Sequence, residues 1–90
     1  MLFLDCYGKN VYFDDELVGY ISPSSGDMYS KGHKFGSLTE YGEIYFNDEY
    51  MGYIEDNGDI YINEHVAGYV SSTNDLHFDS VALRDTREEY

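Results

Sequence analysis

The chain has 90 residues, with 18 acids against five Lys and Arg, a formal charge of −13, eleven Tyr, five Phe and a single Cys. That length allows one domain, and a domain so small buries only about 60% of its unfolded surface. The charge repels nucleic acid and anionic membrane surfaces, so direct binding of DNA, RNA or a membrane is not expected. No apolar run approaches the roughly 20 residues of a membrane helix. The first residues, Met1 to Cys6, lack a basic region and a long apolar stretch, so they do not read as a signal peptide. Cys6 cannot form an internal disulfide, and a short chain without disulfides suits a reducing compartment; the expectation is a cytoplasmic protein.

A sixteen-residue phrase then recurs along the chain, with one step of seventeen. Leu2-Phe3-Leu4 followed by Val11-Tyr12-Phe13 is its degraded first copy, with Gly8-Lys9 at the turn. Gly19-Tyr20-Ile21 and Met28-Tyr29 come next, around Ser25-Gly26, and the only Pro, Pro23, falls in that turn. Gly36-Ser37-Leu38 leads to Ile44-Tyr45-Phe46 through Tyr41-Gly42. Gly52-Tyr53-Ile54 leads through Asn57-Gly58 to Ile60-Tyr61-Ile62, and Gly68-Tyr69-Val70 through Thr73-Asn74 to Leu76-His77-Phe78. Short β-branched and aromatic runs bounded by Gly, Asn, Asp and Ser are strand signals. No window carries a helical apolar stripe.

Each unit therefore reads as one hairpin, over 2–14, 18–30, 35–47, 51–63 and 67–79, with connections of about three residues. A type I′ turn at Asn57-Gly58 pairs Ile54 with Tyr61 and Tyr53 with Ile62. That register puts Gly52, Ile54 and Tyr61 on one face and Tyr53, Ile60 and Ile62 on the other, so both faces are apolar and need covering. The repeated Gly has two readings: it makes room for a tyrosine ring on its own face, or it marks a bulge or bend. Hairpins that cannot cover themselves stack in a line or close into a ring. The apolar ends, Leu2-Phe3-Leu4 and Val81-Ala82-Leu83, favour closure with the termini meeting. The expected fold is all-β, with four or five pseudo-symmetric β-hairpin repeats closed into a ring over 1–83 and a polar C-terminal tail over 84–90.

This pattern resembles the beta-flower repeat proteins. The residues that carry the likeness are Gly-Tyr-Ile at 19–21 and 52–54, Gly-Tyr-Val at 68–70, and Val11-Tyr12, Met28-Tyr29, Ile44-Tyr45 and Ile60-Tyr61. It covers residues 2–83. The first unit lacks the Gly and Ser37 replaces the Tyr, which leaves four or five petals open. The resemblance implies hairpins radiating around a narrow apolar channel, and it brings no enzymatic activity.

Three sets of residues are candidates for function. Tyr12, Tyr29, Tyr45, Tyr61 and His77 hold matching positions and either pack over the glycines or form a belt that binds a partner. Asp15, Glu16, Asp48, Glu49, Glu64 and Asp79, with Asp14, should form one negative rim; Asp27, Glu43, Asp56, Asp59 and Asp75 form a second at the tips. Such rims steer a basic partner, imitate a phosphate backbone, or simply keep the chain soluble. Glu16, His33, Glu49 and His65 stand three residues before each Gly and would share a rim, where they are either metal ligands or ordinary exposed residues. Asp56-Asn57-Gly58-Asp59 reads as a turn, not a calcium loop, because the distal Glu is missing. Cys6 has no His at a fixed repeat offset, and no phosphate-binding glycine pattern occurs. The expectation is a non-enzymatic acidic binding protein without cofactor, an inhibitor or adaptor of the phage or mobile-element kind that docks on a basic host protein. The alternative is a module that sequesters a small ligand or apolar chain in the central channel; oligomerisation is left open.

Overall fold

A computed structural model describes residues 3–79. A short 3-10 helix, Phe3–Cys6, precedes nine strands: β1 (Asn10–Phe13), β2 (Glu16–Ile21), β3 (Asp27–Ser30), β4 (His33–Leu38), β5 (Glu43–Phe46), β6 (Glu49–Ile54), β7 (Asp59–Ile62), β8 (His65–Val70) and β9 (Leu76–Phe78). Each strand pairs with the next in sequence order, and β9 closes on β1, so the chain is an all-β closed barrel. An up-and-down meander with an odd number of strands brings its first and last strands to the seam pointing the same way. The β1–β9 pairing is accordingly parallel, Val11 with Leu76 and Phe13 with Phe78, while the other eight pairings are antiparallel. Closure removes the exposed edges that a small sheet would otherwise present.

The predicted hairpins over 18–30, 35–47, 51–63 and 67–79 are present as β2–β3, β4–β5, β6–β7 and β8–β9. The first, over 2–14, is not. Phe3 to Cys6 are 3-10 rather than strand. β1 has only two edges, and β2 and β9 occupy both. Phe3 and Tyr7 instead pack against the core, with Cys6 fully buried in it. The Phe3 ring lies over Gly42, the Tyr7 ring over Gly26, and the Tyr7 hydroxyl donates to the Leu38 carbonyl at 2.8 Å. Leu2, the Val81-Ala82-Leu83 run and the 84–90 tail lie outside the described residues.

Two kinds of turn alternate. The tight ones are Asp14-Asp15, Lys31-Gly32, Asn47-Asp48 and Asn63-Glu64, with both central residues at positive φ (Asn47 51°, Asp48 67°), which defines the type I′ hairpin turn. The longer ones include the segment around Asn57-Gly58. Only Gly58 has positive φ there (96°); its N–H donates to the Glu55 carbonyl and the Glu55 N–H to the Asp59 carbonyl. The Asn57 side-chain oxygen accepts the Asp59 N–H at 3.0 Å. This is a longer loop with one left-handed residue, not a two-residue I′ turn.

The longer loop shifts the register by one residue. Ile54 pairs with Ile60, Tyr53 with Tyr61 and Gly52 with Ile62. A slip of one residue moves every side chain to the opposite face. The expected two apolar faces therefore resolve into an inside of aliphatic and phenylalanine side chains and an outside of tyrosines and His77. Each strand supplies one residue to an inner layer: Val11, Ile21, Met28, Leu38, Ile44, Ile54, Ile60, Val70 and Leu76, all buried except the partly buried Val70. Burying one such side chain contributes roughly 1.5–3 kcal/mol. A second layer towards the tight turns holds Phe13, Val18, Phe35, Phe46, Met51, Ile62, Ala67 and Phe78.

The glycines answer to the second of their two readings. Register shifts sit opposite them, as where Ile60 pairs with Gly68 but Tyr61 with Val66, so Ala67 is an extra residue in β8. Val18, Phe35 and Met51 are the matching extra residues of β2, β4 and β6. Each bulge aims its extra side chain into the barrel. Gly52 shares the inner face with Ile44 and Ile62, while Tyr61 lies outside. A Cβ at Gly52 would fall on the Tyr61 carbonyl group and within 3.0 Å of Ile62 Cα; the neighbour it makes room for is backbone, not a ring.

A candidate binding surface on the barrel exterior

Tyr12, Tyr29, Tyr45, Tyr61 and His77 stand on alternate strands, β1 through β9, on the outer face. They do not pack over the repeat glycines, which lie on the other side of the sheet. They pack against outward rings of neighbouring strands. Tyr61 stacks on Tyr53 at 5.5 Å and 10°, Tyr29 on Tyr20 at 5.7 Å and 25°, and Tyr45 meets Tyr50 edge-on at 5.6 Å. His77 is sandwiched between Tyr12 and Tyr69, 4.7 Å from each and within 6° of parallel. Aromatic pairs of this kind contribute roughly 0.5–1.5 kcal/mol beyond buried area. Partial desolvation beside these rings, then Glu55 and the neighbouring Tyr61 and Tyr50, raises the exposed Tyr53 phenol above its ordinary range.

Sequence reading overlooked half of this face. Tyr20, Tyr50, Tyr53 and Tyr69 are exposed, as are Leu17 (57%) and Val66 (55%). The pairs Tyr20-Ile21, Tyr53-Ile54 and Tyr69-Val70, each with its first residue outside, carried the needed signal; the misplaced register hid it. Leu17, Lys34, Tyr50 and Val66 are equivalent, each opposite the belt ring of the preceding strand across a tight turn. Lys34 is the cationic exception, 3.4 Å from Asp27 and 4.0 Å from Asp48. The apolar part of the belt therefore centres on β8, β9, β1 and β2.

Asp15, Glu16, Asp48, Glu49, Glu64 and Asp79 are all exposed at the tight-turn end, because a meander delivers every second turn to the same end. Asp27, Glu43, Asp56, Asp59 and Asp75 gather towards the other end, beside the longer loops. Asp75 Oδ1 accepts the Asn10 N–H at 2.9 Å and its Oδ2 the Thr73 hydroxyl at 2.7 Å, which ties the start of β1 to the loop before β9.

Glu16, His33, Glu49 and His65 each open an even-numbered strand and are exposed. They share the rim that the repeat implied, but among the described residues no three His, Cys, Asp or Glu side chains gather closely enough to hold a metal ion. Cys6 is buried, and burial first, then the Asp5 and Asp75 carboxylates, push its thiol up to about 11, which opposes nucleophilic use. Among the described residues no helix is long and apolar enough to cross a membrane.

The parallel seam breaks the pseudo-symmetry of this surface. A groove of about 600 Å³ lies there, lined by residues 66–69 of β8, by His77, Phe78 and Asp79, and by Asp14, Asp15 and Asp59. Comparison with protein-family models, curated proteins and solved structures finds no match for the chain.

Proposed function

We propose that this chain is a non-enzymatic acidic binding protein, an inhibitor or adaptor of the phage or mobile-element kind, that docks on a basic surface of a host protein. The observation that carries the reading is the outer face. A barrel filled by aliphatic and phenylalanine side chains has no packing need for outward tyrosines, yet Tyr20, Tyr50 and Tyr69 stay about half exposed, on the same face as Leu17 and Val66. Aromatic side chains are the commonest affinity anchors at protein interfaces. Carboxylates at both ends of the barrel and a charge of −13 speed and orient the approach of a basic partner and repel nucleic acid and anionic lipid. The likeness to beta-flower proteins belongs to the same proposal, and its support is the repeat length, the hairpin chemistry and the closed all-β ring. Sequestration inside the barrel has less support, because Ile21, Met28, Leu38, Ile44, Ile60 and Leu76 are 0–1% exposed and occupy that layer themselves.

The test is capture of partners from the source cell by immobilised chain at low and high salt. The reading expects a partner whose retention falls steeply with salt and which Tyr50→Ala with Tyr69→Ala releases without unfolding the barrel. Retention insensitive to both changes would refute it.

A further inference from the structure

We infer that the seam groove is a receptor for an arginine side chain of that basic partner, a step that rests on the docking reading above. The groove is larger than its counterparts for two structural reasons. The matching bulge at β4 opens only about 180 Å³, beside Lys34 and Phe35, and the space beside Phe13, Val18 and Phe35 about 190 Å³. At the seam, β8 is followed by the three-residue β9 and then by β1 in parallel, and among the described residues no further hairpin follows. There too the bulge residue is Ala67, where the other units carry Val18, Phe35 and Met51. The resulting volume lies within the roughly 300–1,000 Å³ of small-ligand sites.

Its lining selects the occupant. Asp14, Asp15 and Asp79 at its tight-turn end and Asp59 towards the other place carboxylates at both ends of the groove, and no Lys or Arg is among the described lining residues. Val66, 55% exposed, offers apolar surface for an alkyl stem, and Tyr69, 48% exposed, offers the ring face that His77 does not cover. An arginine satisfies all three features: its stem packs on apolar surface, its planar guanidinium stacks on rings, and its forked N–H groups bind carboxylates in pairs. A lysine ammonium satisfies the charge but neither the fork nor the stacking.

The probe is the blocked peptide acetyl-Gly-Arg-Gly-amide, titrated into the full-length ¹⁵N-labelled chain, with its lysine and neutral citrulline counterparts as comparators. Expected are saturable amide shifts confined to Val66–Tyr69, His77–Asp79 and Asp14-Asp15, weaker with lysine and lost with citrulline. Asp15→Asn should weaken binding by about two- to five-fold, as loss of one exposed charge partner does. Val66→Lys, at an exposed position, should abolish it. Arg84 and Arg87 follow Asp79 in the chain and could compete, so the titration is repeated on the R84A/R87A variant. Shifts spread evenly over the acidic turns, or absent from the seam in both backgrounds, would overturn the inference. Salt-sensitive capture that survives Val66→Lys would overturn it while leaving the docking reading intact; loss of salt-sensitive capture in the unmodified chain would instead sink that reading.

Discussion

Replacing Gly52 with Ala is the sharpest test of how the barrel is built. The new methyl would sit 2.9 Å from the Tyr61 carbonyl carbon and 3.0 Å from Ile62 Cα, with the carbonyl oxygen nearer still. Carbon atoms pack best at about 3.5–4.0 Å, so one backbone must move by roughly half an ångström or more. Overpacking typically costs about 1–3 kcal/mol, and here the obstacle is main chain held by ladder hydrogen bonds on both sides. We expect about 3 kcal/mol, out of a total of roughly 5–13 kcal/mol for a chain of this size. The corresponding fall in Tm is about 12–24 °C. Gly32→Ala is the control: its Cβ meets nothing within 4 Å, and only its φ of +80° opposes the change, which costs about 1–2 kcal/mol. Thermal and urea unfolding followed by circular dichroism measure both. A double-mutant cycle with Tyr61→Ala then separates the causes. If the glycine made room for the ring, Tyr61→Ala would relieve the penalty; because the conflict is with the carbonyl, the penalty should persist. A cost for Gly52→Ala below that of Gly32→Ala, or one that vanishes in the Tyr61→Ala background, would refute the backbone-approach account.

Two further outcomes follow from titratable groups. Partial burial pushes the Asp75 carboxyl up, but the Asn10 N–H and Thr73 hydroxyl bonds, with His77 and Lys9 nearby, outweigh it and leave its pKa below the ordinary value. A carboxyl lowered in the folded state stabilises at pH above its unfolded value of about 4, and that contribution is lost as pH falls through the folded value. Asp75→Ala should therefore lower the urea midpoint at pH 7 and have little effect near pH 2; an equal effect at both would show that the contribution does not come from the ionised carboxylate. For Cys6, with its thiol raised to about 11 and fully buried, iodoacetamide at pH 8 should alkylate the native chain only as fast as it opens. Native labelling as fast as that of the denaturant-unfolded chain would contradict the buried placement.

The sequence by itself determined that the described chain is built of β-strands and that its hairpins repeat every sixteen or seventeen residues, since runs such as Ile60-Tyr61-Ile62 between Gly, Asn and Asp leave little else to form, and its apolar ends favoured a ring over a line. It also placed Tyr12, Tyr29, Tyr45, Tyr61 and His77 in one row and the acids in two sets, because equal spacing becomes equal height in a meander. Only the tertiary structure decided which way the rings point. A long loop with one left-handed glycine at Gly58 and a two-residue Asn-Gly turn look alike in letters, yet they differ by one residue of register, and one residue exchanges inside for outside. How the ring closes was likewise decided in three dimensions: β9 pairs with the free edge of β1 in parallel, Phe3–Cys6 forms a 3-10 helix against the core instead of a strand, and a groove lies at that parallel seam.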